Sequence, residues 1–137
     1  MGTESAKSKY KILIIDDELV VYKTLDRMLS RLGYETSYAG NLSAVMDLIE
    51  STDFDAVLCD IKMPDISGIG ILKKIKSKRK YLQVIMLTGY ATLNTAAKAT
   101  EAGAIAFLTK PLRDLKEISL ALDLAVKETT LQKEASK

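Results

Sequence analysis

Histidine is absent from the 137-residue chain, which excludes imidazole general-base catalysis and histidine-ligated metal centres within it. The single cysteine, Cys59, excludes an intrachain disulfide and fits a reducing, cytoplasmic compartment. Only two prolines occur, and 47% apolar with 28% charged residues is the composition of a folded domain, not of a disordered chain. No apolar run approaches the ~20 residues a membrane span needs. The polar start from Met1 to Lys9 has no apolar segment to serve as a signal peptide and reads as a disordered leader. A formal net charge of +2 is too small to suggest nucleic-acid binding across the whole surface. At this length one domain can bury roughly two thirds of its unfolded surface without staples.

What is present is a set of short apolar runs separated by helical patterns. Val57-Leu58-Cys59-Asp60 is three apolar residues closed by a carboxylate, the pattern of a strand buried on both faces within a parallel sheet. Lys11 to Ile15 is a similar run that stops at Asp16-Asp17-Glu18. Leu25, Met28, Leu29 and Leu32 then recur at helical spacing before Gly33, a natural helix terminator. Glu35 to Ala39 is a more polar strand, suited to a sheet edge. Leu42, Val45, Met46 and Ile49 mark a second helix, and Ile69, Leu72 and Ile75 a third. Gln83 to Leu87 reads as the fourth strand, Thr92 to Ala102 as the fourth helix, and Ala104 to Leu108 as the fifth strand. A last helix runs from about Asp114 past Val126.

Five strands alternating with five helices predict an α/β fold with a parallel sheet covered on both faces. Right-handed crossovers favour the doubly wound, flavodoxin-like strand order 2-1-3-4-5. The expected organisation is a leader over 1–9, one domain over 10–128, and a polar C-terminal tail or linker start over 129–137.

In that topology the strands bring Asp16, Asp17, Asp60, Thr88 and Lys110 to one edge. Singly, these residues read as a helix N-cap, an Asx turn, a strand-ending turn and a solvated loop lysine. Their coincidence at the ligand-binding edge of an open sheet gives them another meaning. Three converging carboxylates repel one another unless a cation shares the site, and an all-oxygen donor set suits Mg²⁺ before Zn²⁺. A hydroxyl on Thr88 and a movable ammonium on Lys110 complete the parts needed for phosphoryl transfer to a carboxylate.

With Ile14-Ile15-Asp16-Asp17-Glu18, Asp60-Ile61-Lys62-Met63-Pro64-Asp65-Ile66-Ser67-Gly68, Leu87-Thr88-Gly89-Tyr90-Ala91 and Ala106-Phe107-Leu108-Thr109-Lys110-Pro111, the chain resembles a response-regulator receiver domain of two-component signalling. Its second half is similar to receivers that control σ54-type transcriptional activators. The resemblance implies that Asp60 is the phosphoacceptor, charged by a sensor histidine kinase or phosphotransfer protein. It implies Mg²⁺ on Asp16, Asp17, Asp60 and the backbone carbonyl of Lys62, with Thr88 and Lys110 contacting the phosphoryl oxygens. It also implies a cis Lys110-Pro111 peptide and a switch in which Thr88 moves inward and Phe107 fills the space. The surface of the fourth helix, fifth strand and fifth helix would then change shape for an effector, with transcription as its output. No turnover of free substrate is expected, so the chain is read as a regulator and not as an enzyme. Lys62 and Tyr90, two residues after Asp60 and Thr88, are placed to tune phosphoryl lifetime.

Three other readings compete. An aspartyl-phosphate phosphatase would carry a second acid where Lys62 stands. A flavin module would need a Ser/Thr/Gly-rich loop in place of Asp16-Asp17-Glu18. A phosphate-independent interaction domain would leave Asp60 unmodified. The basic run from Lys73 to Lys80 reads as a solvated helix end favoured by the C-terminal dipole, so direct nucleic-acid binding is not expected, nor is membrane binding. Leu120 and Leu124 fall off the face that packs on the sheet and point to a second contact surface, homodimerisation on phosphorylation among its uses.

Overall fold

Within each parallel strand the side chains alternate between two covered faces, and the two cores divide accordingly. The computed structural model describes residues 10–89, 91–112 and 114–136. The expected leader, Tyr90, Arg113 and Lys137 lie outside them. The strands are β1 (Lys11–Ile15), β2 (Glu35–Ala39), β3 (Ala56–Asp60), β4 (Val84–Thr88) and β5 (Ala106–Thr109). The helices are α1 (Leu19–Arg31), α2 (Leu42–Ser51), α3 (Gly68–Lys78), α4 (Leu93–Glu101) and α5 (Leu115–Ala135). All pairings are parallel and the order is β2-β1-β3-β4-β5, as the alternation of strand and helix patterns predicts.

Ile12, Ile14, Ala56, Leu58, Ile85 and Leu87 turn to the face covered by α1 and α5, where Leu25, Leu29, Ile118 and Leu122 meet them. Leu13, Ile15, Val57, Cys59, Val84 and Met86 turn the other way, onto Val45, Ile49, Ile71, Leu72 and Ile75 of α2 and α3. Every residue of β3 is buried, because a central strand with a helix layer on each side has no solvent face. β2 and β5 form the edges and are only partly buried.

The helix ends follow from local chemistry. Asn41, Ser67 and Thr92 cap α2, α3 and α4 by accepting backbone N–H bonds from Ala44, Gly70 and Thr95. α1 closes at Gly33, whose φ of 91° lets Tyr34 N–H reach the Leu29 carbonyl at 3.1 Å. α4 closes in the same way, with Gly103 at φ 105° and Ala104 N–H on the Ala99 carbonyl at 3.0 Å. That closure occupies Ala104, so β5 begins at Ala106, two residues later than its apolar run suggests.

The larger departure is at the other end. α5 continues to Ala135, so residues 130–135, which read from the sequence as a polar tail, are helical. The reason lies in partners far along the chain. Thr129 is fully buried and its hydroxyl accepts the Gln83 N–H at 3.1 Å, just before β4. Lys133 reaches Asp53 at 2.9 Å and lies over the Tyr81 ring, 5.2 Å from its centre.

The turn after β3 is closely packed. Gly68 N–H donates to the Ile61 carbonyl at 2.6 Å, and a Cβ on Gly68 would overlap the Asp60 carbonyl oxygen. Gly68→Ala is therefore expected to cost about 2 kcal/mol of stability through forced backbone displacement. Urea unfolding monitored by circular dichroism checks this, and an unchanged midpoint would show that the loop adapts freely.

Candidate functional site

Strand register brings the reactive residues level with one another. Asp60 closes β3 opposite Leu87, and Thr88 closes β4 opposite Thr109. Asp16 follows β1 and prolongs its ladder through an N–H bond to the Ala39 carbonyl at 3.2 Å. Lys110 follows β5 and donates its N–H to the Thr88 carbonyl at 2.8 Å. The Lys110-Pro111 peptide is cis, as the sequence motif implies. Thus four strand ends deliver four side chains to one edge of the sheet.

Asp16, Asp60 and Thr88 are buried at 2%, 8% and 1% exposure, whereas Asp17 faces solvent. Carboxylate oxygens of Asp16, Asp17 and Asp60 all lie within 4.8 Å of one another. Lys110 Nζ bridges two of them, at 2.8 Å from Asp16 Oδ2 and 3.2 Å from Asp60 Oδ2. The second oxygens are held by backbone: Glu18 N–H donates to Asp16 Oδ1 at 2.9 Å and Lys62 N–H to Asp60 Oδ1 at 3.3 Å. A cleft of about 580 Å³ opens over this group, lined by Asp17, Asp60, Lys62, Thr88 and Lys110 among others.

Charge in the cleft is finely opposed. Burial pushes the Asp60 carboxyl up, Lys110 pulls it down and Asp16 adds to the rise; the balance is upward. Burial alone would depress the Lys110 ammonium, but Asp16 and Asp60 outweigh it and raise its value above the ordinary 10.5. The donor set fits a hard divalent cation: three carboxylates, all oxygen, one of them open to solvent. The thiol of Cys59 takes no part. It is fully buried, held neutral by that burial, and donates to the Asp60 carbonyl at 3.3 Å.

The other residues singled out in the sequence are spread around this centre. Lys62 lines the cleft and meets Asp60 through its backbone amide. Phe107 lies on β5 opposite Met86, partly buried and packed against the core under α2, α3 and α4. Tyr90 lies outside the described residues. Two contributors escape sequence reasoning. Asp65 accepts the Leu42 N–H at 3.2 Å, tying the loop after Asp60 to the start of α2; its partner is 23 residues away, with no local signal. Tyr38 stacks on Tyr22 at 4.7 Å, and burial followed by Asp16 and Asp17 raises its phenol. The alternation of β2 marks Tyr38 only as an edge-strand aromatic.

Asp60 carries a testable pH signature. Its folded value is raised, so its contribution to stability is complete below the unfolded value of about 3.9 and is lost as pH rises through the folded value. Asp60→Asn is therefore expected to melt above the unmodified protein at pH 7, with the gap closing as pH falls through the raised folded value and gone below about 4. Thermal melts across that range check the sign.

Comparison with known proteins gives a consistent result. A model described as "Response regulator receiver domain" matches residues 12–123. The transcriptional regulatory protein ZraR of Klebsiella oxytoca is 35% identical over 120 residues, covering 88% of this chain and 27% of that protein. The DNA-binding transcriptional regulator NtrC of Azospirillum brasilense is 35% identical over 119 residues, covering 87% of this chain and 24% of that protein. The chain therefore spans about a quarter of the length of these curated relatives. Among solved structures, the beryllofluoride-activated NtrC4 receiver domain dimer superposes with a TM-score of 0.81 at 30% identity, covering 87% of this chain and 98% of that one.

Proposed function

The chain belongs to the response regulator receiver domain family, and from that premise we propose that Asp60 accepts a phosphoryl group from a phosphohistidine on a sensor kinase or phosphotransfer protein. A carboxylate oxygen of Asp60 bonds to phosphorus as the phosphorus–nitrogen bond breaks and the imidazole leaves. The observation that carries this reading is the Lys110 ammonium held 3.2 Å from Asp60 and 2.8 Å from Asp16. It sits on a flexible stem and can follow the new phosphoryl oxygens while keeping one carboxylate partner.

Asp16, Asp17, Asp60 and the Lys62 carbonyl are the residues that would hold Mg²⁺. The ion would offset negative charge gathering on the phosphoryl oxygens. The chain's own residues do the remainder. Asp60 is fixed by the Lys62 amide, Asp16 by the Glu18 amide, and the Thr88 hydroxyl stands at the end of the adjacent strand. Thr88 and Lys110 then stabilise the transferred group electrostatically.

We further propose that the domain is a cytoplasmic regulator and not a substrate-turning enzyme. Phosphorylation biases Thr88 and Phe107, and through them the α4–β5–α5 surface, toward a form read by an effector that controls transcription. The likeness to ZraR and NtrC supports that output. The NtrC4 receiver structure, described as an activated dimer, supports a second copy as one reader of the switched surface.

Incubation with Mg²⁺ and a small acyl-phosphate donor is expected to add the mass of one phosphoryl group. The gain should be lost in Asp60→Asn or on chelation. Lys110→Ala is expected to slow the transfer about a hundredfold. A mass gain that survives Asp60→Asn would sink this assignment. Lifetime is read separately: Lys62→Asn and Tyr90→Ala are expected to change the autodephosphorylation rate severalfold, and unchanged decay in both would remove their tuning role.

A further inference from the structure

Helix α2 has no acid in its first turn, although the amide end of a helix favours negative charge. Asp65 supplies one from 23 residues away, its Oδ2 accepting the Leu42 N–H at 3.2 Å. Leu42 is the first residue of α2, and Asn41 before it caps the helix by accepting the Ala44 N–H at 2.9 Å. The first N–H of a helix has no partner within the helix, so Asp65 takes up a donor that α2 leaves over.

What lies at the two ends of this contact connects it to the acidic cleft. Three residues before Leu42, the Ala39 carbonyl accepts the Asp16 N–H at 3.2 Å. Three residues before Asp65, the Lys62 N–H donates to Asp60 Oδ1 at 3.3 Å. The far end of the same loop is anchored separately, by Gly68 N–H on the Ile61 carbonyl and by Ser67, which caps α3. A chain of short bonds thus runs from Asp16 through Ala39, Leu42, Asp65 and Lys62 to Asp60, along the α2 side of the cleft.

We propose that Asp65 is a positioning residue for the cation: by holding the β3–α3 loop on α2, it fixes the Lys62 peptide relative to Asp16 and Asp60. This deepens, and rests on, the reading that Asp16, Asp17, Asp60 and the Lys62 carbonyl hold a divalent ion. A small hard cation tolerates little error in the placing of its oxygen ligands. Loosening the loop that carries the Lys62 carbonyl and steadies Asp60 therefore weakens binding even where the fold is intact. Asp65 is exposed and does not line the cleft over the carboxylates; it acts through the backbone and not as a ligand.

Mn²⁺ binding to the full chain, followed by the electron paramagnetic resonance of the free ion, reads the site without phosphoryl transfer. Asp65→Ala is expected to raise the Mn²⁺ dissociation constant about fivefold. Asp65→Asn keeps an acceptor oxygen and should stay within about twofold of the original. Leu42→Pro removes the donor and leaves every charge in place. Proline is well tolerated at the first position of a helix, and the extended backbone of Asn41 suits a following proline. This variant should weaken binding as Asp65→Ala does, and the two combined should weaken it no further. A loss shared by Asp65→Ala and Asp65→Asn but absent from Leu42→Pro would be an effect of charge and would overturn the proposal. So would Mn²⁺ binding indifferent to all three. No Mn²⁺ binding by the unmodified chain would bring down the cation reading, and this proposal with it.

Discussion

One ammonium group between two buried carboxylates sets the terms for this molecule. Asp16 and Asp60 are nearly excluded from water, and their oxygens share a space with those of Asp17. Such a group of like charges stands only if something positive is brought to it. Lys110, 94 residues from Asp16 and 50 from Asp60, supplies that charge from the far side of β4. The parallel sheet is what makes the delivery possible. Successive strands run the same way, so residues remote in the chain finish at the same height.

The same arrangement explains why the site is costly and yet specific. Asp60 retains a raised carboxyl even with Lys110 beside it, which leaves an incompletely satisfied negative site under an open cleft. A divalent cation or a tetrahedral anion would each find part of its complement there, in oxygen ligands or in Lys110. The backbone amides of Glu18 and Lys62 hold the carboxylates in place without neutralising them.

Much of this is legible in the sequence because it is written locally. The β1, β3 and β4 runs are short, apolar and stopped by polar residues, so strand identity and the position of each reactive end follow from pattern alone. Gly33 and Gly103 mark helix ends by the same local logic. What stays hidden depends on partners distant in the chain. The final turns of α5 look like a solvated tail because their composition is polar, and only Gln83 and Asp53 reveal why they stay helical. Asp65 reads as an ordinary loop acid until Leu42 is seen beside it. Lys110 is visible as a site residue, but its double contact is a fact of three dimensions.

The extent of α5 has a mechanical consequence. A 21-residue helix is about 30 Å long, and this one begins five residues after Lys110 and finishes at the opposite rim. There Thr129 and Lys133 moor it to the segments leading into β4 and β3. A helix packed on the sheet through Ile118, Leu122 and Ala125 and moored again at its far end resists sliding along its own axis. The mooring therefore holds the helix in register with the strand ends that carry the acidic cleft.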